Sequence, residues 1–359
     1  DMEAGKKYSL KIEWIPDGGE SFIALKHLNP LKPEDQQRIS LYSEVADQID
    51  YYFIAGHSMD EVISGYRTLT GKSPVMPKWA MGFWQSRERY KTQDEILGTV
   101  REFRKRQIPI DNIVLDWQYW PIDKWGDHDF DSTRFVDPKS MLTTLHDSLN
   151  AHLMISVWAK YYKGTKNYEE MDKHGWLYKL NIEKNRKDWL GYVSTFYDAF
   201  NADARLAFWN QINNKLYSKG VDAWWMDATE PDITSNLPMD ERKALMDPTA
   251  LGPAGKYFNA FSLQQAKAVY EGQRKTNPGQ RVYILTRSAF AGLQRYAAAN
   301  WSGDISSRWH DMKSQIPCGL SFCLSGIPYW TMDIGGFAVE TRYYDAKGKD
   351  LDEWRELQT

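Results

Sequence analysis

From Pro77 onward, short apolar runs alternate with amphipathic stretches long enough for helices, and this rhythm constrains the fold more than any other feature of the chain. WAMGFWQS (79–86) precedes TQDEILGTVREFRKRQI, a predicted helix opening at Thr92 with acids in its first turn and bases in its last. NIVLDW (112–117) precedes PKSMLTTLHDSLNA, and HLMISVWA (152–159) leads into a long polar, aromatic excursion. A helix over 203–219 passes through Gly220 to DAWWMDAT (222–229). VYILTRS (282–288), AAANWSGD (297–304) and IPYWTMDIGGF (327–337) follow, with helical spacers between them. Seven such strands read as a βα repeat. Doubly wound sheets and barrels both satisfy that pattern, but no glycine-rich phosphate turn follows the first strand, which favours a barrel.

The chain before Pro77 has a different texture. Residues 5–28 alternate as two strands around PDGG, a hairpin signal, and ISLYSEVADQIDYYFIAG reads as further strand. MDEVISGYRTLTGKSP then has helical spacing with a terminal glycine cap. The expected organisation is therefore a β-rich piece over 1–30, a second β-rich piece with a linking helix over 31–75, and a barrel over 76–359.

In a barrel the strand C-termini converge on one mouth. Those ends supply Gln85, Arg87, Asp116, Trp158, Asp227, Glu230, Arg287, Asp304 and Asp333, with no histidine, cysteine or serine cluster of nucleophilic or metal-binding type. The stretch DAWWMDATEPD is the sharpest instance, because a bulky strand ends at once in Asp227, Glu230 and Asp232 with Pro231 between. Carboxylates without metal-type histidines suit glycoside hydrolysis or transfer, which needs one carboxylate as nucleophile or base and a second carboxyl as acid. Three acids at strand ends also form a divalent-cation site, so an enolase-like use of Mg²⁺ stands as the chemical rival.

Net charge is −3, with 45 basic and 48 acidic residues, and no long basic run is present. Nucleic acid is not an expected partner. No stretch approaches 18 consecutive apolar residues, so no membrane-spanning helix is expected, and DMEAGKKYSL lacks the order of a signal peptide. Cys318 and Cys323 read as two buried small hydrophobes. The 16 Trp and 21 Tyr suit sugar faces, though large cores use them too.

DAWWMDATEPD, LTRSAFAGLQRYAAANWSGDISSRW and YWTMDIGGF resemble glycoside hydrolase family 31, which holds α-glucosidases, α-xylosidases and transglycosylases on a (β/α)8 barrel. SRERYKTQDEI and DATEPD are similar to the xyloglucan-active α-xylosidases within it. Residues 1–30 resemble the end of a protective-antigen-type β module, and 31–75 the end of an N-terminal β-sandwich with its linking helix. The resemblance implies Asp227 as nucleophile and Asp304 as general acid/base, with Trp301 and Trp309 as apolar neighbours that disfavour the charged form of Asp304. It implies Asp116, Trp158 and Arg287 as substrate contacts, Glu230 as a support for the nucleophile loop, and Asp333 as a brace of the mouth. No cofactor or metal is implied; the implied partner is an oligosaccharide, and the implied location is periplasmic or extracellular.

Two departures from the family pattern stand out. No eighth strand and no pocket histidine follow MDIGGF before the chain ends at ELQT, so either a further polypeptide segment completes the barrel or this is a truncated piece of one. Trp117 follows the pocket acid where α-glucosidases of the family carry a small aliphatic residue. A ring there excludes the C6 hydroxymethyl of a hexose but not xylose, unless it points into the barrel wall. Retaining α-xylosidase is the expected activity; α-glucosidase or α-transglucosylase is the alternative, and a non-catalytic carbohydrate-binding protein is the different-class alternative.

Overall fold

The computed structural model describes residues 5–9, 11, 44–48, 50–235 and 237–359. Two compact units divide the chain, Asp1–Ser43 and Glu44–Thr359, and every element below belongs to the second. The hairpin expected within 5–28 falls almost entirely outside the described residues. The described part of the next expected strand, 44–48 and 50–56, is not strand. Tyr51, Tyr52 and Phe53 are exposed there, and no described neighbour offers the ladder hydrogen bonds that would turn extended backbone into sheet. The helix that follows, Met59–Thr70, forms as expected. Ser58 Oγ accepts from Glu61 N at its start, and Gly71, at φ +100°, closes its end.

Among the described residues there are eight short strands: β1 (Trp84–Gln85), β2 (Asn112–Leu115), β3 (His152–Ser156), β4 (Lys160–Tyr162), β5 (Ser194–Phe196), β6 (Ala223–Met226), β7 (Ile284–Thr286) and β8 (Ala298–Asn300). Six of them form one curled parallel sheet in the order β1-β2-β3-β6-β7-β8, the wall of an incomplete (β/α)8 barrel. Helices such as Gln93–Lys105, Ala202–Lys215 and Phe261–Thr276 make the crossovers. Thr92 caps the first of these, with Asp94 and Glu95 in its first turn and Arg104 and Lys105 in its last, as its sequence predicts.

The period-two pleat explains why these strands read as continuous apolar runs. Val114, Met154, Ala223, Leu285, Ala299 and Trp301 fill one buried cluster, the barrel interior. Their chain neighbours Ile113, Leu115, Leu153, Ile155, Trp224, Met226 and Ile284 belong to a second cluster with the surrounding helices. Trp224 shows the outer side: its Nε1 donates to Gln273 Oε1 at 2.7 Å, on the helix Phe261–Thr276.

Two strand expectations are corrected in extent. WAMGFWQS gives a 3₁₀ turn over Lys78–Met81 and only two strand residues. IPYWTMDIGGF contributes a single parallel bridge, Asn300 to Trp330, held by Asn300 N to Tyr329 O at 3.1 Å and Thr331 N to Asn300 O at 2.9 Å. Among the described residues no strand pairs with β1 on its other side. The excursion after β3 contains the antiparallel pair β4–β5, which periodicity does not announce because Lys160 interrupts it. The two cysteines are free, Cys318 half-buried and Cys323 exposed, rather than buried. They lie on the helix Trp309–Leu324, whose apolar residues Ile316, Leu320 and Leu324 are themselves exposed.

Candidate active site

Asp227 is the first residue after β6 and Arg287 the first after β7. Parallel pairing in register, Trp225 with Leu285 and Met226 with Thr286, therefore brings the two side chains out side by side at the same sheet end. Arg287 Nη1 lies 3.2 Å from Asp227 Oδ1 and 3.8 Å from Asp304 Oδ2, while its Nη2 lies 2.5 Å from Glu230 Oε1. One guanidinium thus holds three carboxylates, a job its planar fork suits.

The loops around it are tied down. Thr229 Oγ1 and Thr286 Oγ1 are 2.8 Å apart, and Ser288 N donates to Thr229 Oγ1 at 3.0 Å, which locks the loop after β6 to the arginine turn. Asn300 Nδ2 donates to the carbonyls of Thr286 and Ser288, at 2.9 and 3.0 Å, and fixes the same turn from β8. Gly303 has φ +79°, and a Cβ there would stand 3.2 Å from Arg287 Cδ, so glycine suits the approach to Asp304. Asp232 pairs with Arg242 at 3.2 Å and braces the far side of the loop.

Burial pushes the Asp227 carboxyl up to about 6, with Arg287 and the Ala228 N–H, which donates to Asp227 Oδ1 at 2.8 Å, working in the opposite direction. Asp304 is more open, its side chain 54% exposed, yet partial burial also raises its pKa against the pull of Arg287. Asp333 is half-buried, and burial together with the charge of Asp304 raises it to about 6.

Asp116, directly after β2, ends its strand as Asp227 does: its Oδ1 accepts the N–H of the next residue, Trp117, at 2.6 Å. Burial holds its pKa well above the usual carboxylate range, and the charges of Asp227 and Glu88 add to the effect. Trp117 stacks on Trp125 with centroids 5.4 Å apart and planes at 17°, and meets Trp189 edge-on. Its other contacts come from residues that sequence reading did not single out. Glu88 Oε1 accepts from Trp117 Nε1 at 3.2 Å, and the Arg89 guanidinium lies 4.1 Å from the Trp117 ring centroid. Both sit within SRERY, where family resemblance marked the segment but no spacing rule marked the residues.

Trp158 is buried, its Nε1 donating to Ser156 Oγ at 3.0 Å and its ring edge-on to Trp125 at 4.9 Å. Trp125 and Trp189 in turn flank the ammonium of Lys160, each centroid 4.4 Å from Nζ, and Lys160 is paired with Asp188 at 2.6 Å with both side chains fully buried. Trp301 packs in the barrel interior against Trp225, centroids 5.8 Å apart, beneath the mouth. Trp309 opens the helix Trp309–Leu324 and is 42% exposed, and no described ring contact or hydrogen bond ties it to Asp304. Of the other strand-end residues, Arg87 turns away to Glu95 and Tyr90, and Gln85 bonds to the Ser86 carbonyl.

Residues 73–357 match the glycosyl hydrolases family 31 TIM-barrel domain. The chain belongs to glycosyl hydrolases family 31. It is 44% identical over 302 residues to an α-xylosidase of Saccharolobus solfataricus, an alignment that covers 84% of this chain and 39% of that protein. It is 30% identical over 321 residues to α-glucosidase 2 of Bacillus thermoamyloliquefaciens, covering 88% of this chain and 39% of the other. Among solved structures, the family 31 α-xylosidase of Xanthomonas citri superposes with a TM-score of 0.82 at 54% identity, covering 85% of this chain and 33% of that one. The chain thus spans well under half the length of each of these three relatives.

Proposed function

We propose that this chain carries the catalytic barrel of a retaining α-xylosidase, with Asp227 as nucleophile and Asp304 as general acid/base. The observation that carries the reading is the position of Arg287 between the two acids. Two oxygens 3.2 and 3.8 Å from one nitrogen stand no farther apart than the 7.0 Å those lengths sum to. That bound accommodates the roughly 5–5.5 Å of retaining enzymes and excludes most of the ~6.5–9.5 Å of inverting ones. A raised pKa suits Asp304 to donate a proton to the leaving oxygen, and a value of about 6 leaves Asp227 largely ionised at neutral pH.

In this reading Asp227 attacks the anomeric carbon as Asp304 protonates the leaving oxygen. Asp304 then takes a proton from the water that opens the glycosyl ester. Arg287, freed in part as negative charge leaves Asp227, contacts sugar hydroxyls together with Asp116. Glu230 anchors the arginine, Trp158 and Trp117 form the pocket wall, Asp333 braces Asp304, and Trp301 floors the mouth. Trp117 fills the space of a hexose C6 hydroxymethyl, so the substrate is an oligosaccharide ending in α-linked xylose, of the kind found in xyloglucan. The 44% and 54% identities to α-xylosidases support this choice over α-glucosidase, which the 30% relative keeps as the second reading.

The barrel proposed over 76–359 is completed by further polypeptide, a reading supported by the exposed Ile316, Leu320 and Leu324 and by the short span of its relatives that the chain covers. Residues 1–30 and 31–75 are proposed as ends of preceding β modules. The deciding experiment is release of sugar from aryl α-xyloside and aryl α-glucoside, followed by NMR of the fresh product. Xylose released first as the α-anomer supports the proposal; β-anomer first, or a preference for glucoside, overturns it.

A further inference from the structure

The mouth is at one end of the sheet; at the other end lies a second cluster with different chemistry. Asp222 immediately precedes β6, His152 opens β3, and His146 stands on the helical turn Thr144–Ser148 just before it. Asp222 and Asp227 bracket the same strand, five residues or roughly 16 Å apart along an extended chain, so the two sites are at opposite ends of the barrel strands.

His146 Nε2 lies 2.8 Å from Asp222 Oδ2, and His152 Nδ1 lies 3.1 Å from Asp222 Oδ1. The two ring nitrogens and the carboxylate oxygen fall within 4.8 Å of one another. Their orientation is imposed from outside the cluster. Leu153 N donates to Asp222 Oδ2 at 2.8 Å, and the Trp79 ring stacks on His152 with centroids 4.4 Å apart and planes at 19°. Backbone and ring supports of this type hold ligands in place around a metal ion. On its open side the cluster faces a cavity of about 450 Å³ that Tyr217, Asn277 and Gln280 also line.

We propose that His146, His152 and Asp222 bind a divalent transition cation of the Zn²⁺ class at the base of the barrel. Two imidazoles and a carboxylate suit Zn²⁺, Co²⁺ or Ni²⁺ rather than Mg²⁺ or Ca²⁺, which take oxygen ligands. A small inward movement brings the three donors to the ~2.0–2.2 Å bonds such ions need, and the cavity leaves a further coordination position for water. The ion ties the start of β3 to the start of β6 and to the preceding helical turn, which makes it a structural clamp remote from the reacting acids. Without metal the same side chains make a hydrogen-bonded triad, and the two states differ in their response to added cation.

The test uses tag-free protein stripped of metal with a chelator and titrated with Co²⁺, then Zn²⁺. One equivalent of Co²⁺ is expected to bind with visible d–d absorption bands, to be displaced by Zn²⁺, and to raise the apparent melting temperature by roughly 2–5 °C at saturating cation. His146→Gln and His152→Gln, each checked for folding by circular dichroism, are expected to lose the bands and the stabilisation while keeping glycosidase turnover. Absence of bands and of stoichiometric binding in the wild-type protein overturns the proposal, as does full retention of binding in both folded variants.

Discussion

Arg287 and Asp227 emerge side by side from the adjacent strands β7 and β6, with the guanidinium 3.2 Å from the carboxylate. The arginine cation opposes the burial that pushes Asp227 up to about 6. Removing the cation by Arg287→Met therefore raises the Asp227 pKa further. Because the proposed nucleophile must be ionised, the acid limb of the kcat/KM profile, expected near pH 6 in the wild type, moves to higher pH. A pH profile on an aryl α-xyloside measures it; a limb that stays put or moves down contradicts the electrostatic role of Arg287. With Asp304 and Asp333 close by, the limb reports the cluster rather than one carboxyl.

On the proposed assignment, Asp227→Ala removes the covalent step itself. Activity on every substrate is expected to fall by a transition-state loss above roughly 5 kcal/mol, with the folded state retained by circular dichroism. Near-native turnover by the folded variant would falsify the nucleophile assignment.

Asp304→Ala separates substrates by leaving group. An activated aryl glycoside needs little protonic help, whereas a natural sugar leaving group needs the acid, so the loss is expected to be much larger for the oligosaccharide. Equal losses on the two, read from kcat/KM, count against the role.

Trp117 is clamped by Glu88, Arg89 and Trp125. Trp117→Ile is expected to raise kcat/KM for α-glucoside relative to α-xyloside by an amount corresponding to about 1–3 kcal/mol. Glu88→Gln keeps a hydrogen-bond acceptor for the indole N–H and is expected to shift the ratio less than Glu88→Ala. Paired kinetics on the two aryl glycosides decide the matter: a ratio that Trp117→Ile leaves unchanged removes this ring as the gate.

Lys160 and Asp188 are a fully buried pair behind the aromatic wall, and burial draws the lysine down to about 8 against the pull of Asp188. Lys160→Met leaves Asp188 buried without its counter-charge, and a destabilisation of about 3–5 kcal/mol is expected in denaturant unfolding. A cost within 1 kcal/mol of zero would show that the pair is dispensable.

The sequence by itself determined the barrel rhythm and the acids at its strand ends. Both follow from local rules, since a buried parallel strand must be apolar on both faces and its first polar residue marks where it leaves the core, as at Asp116, Asp227 and Arg287. Family resemblance added roles to those positions. Tertiary structure decided what is distant in the chain. Glu88 reaches Trp117 across 29 residues, Lys160 reaches Asp188 across 28, and Asp222 meets His146 and His152 across 76 and 70. No periodicity encodes such pairs, because each partner looks like an ordinary polar residue until the strands place them together. Exposure was likewise a tertiary matter: Cys318 and Cys323 read as buried and ISLYSEVADQIDYYFIAG as strand, but burial depends on a neighbour being present, and among the described residues Cys323, Ile316, Leu320, Leu324 and Tyr51–Phe53 remain open.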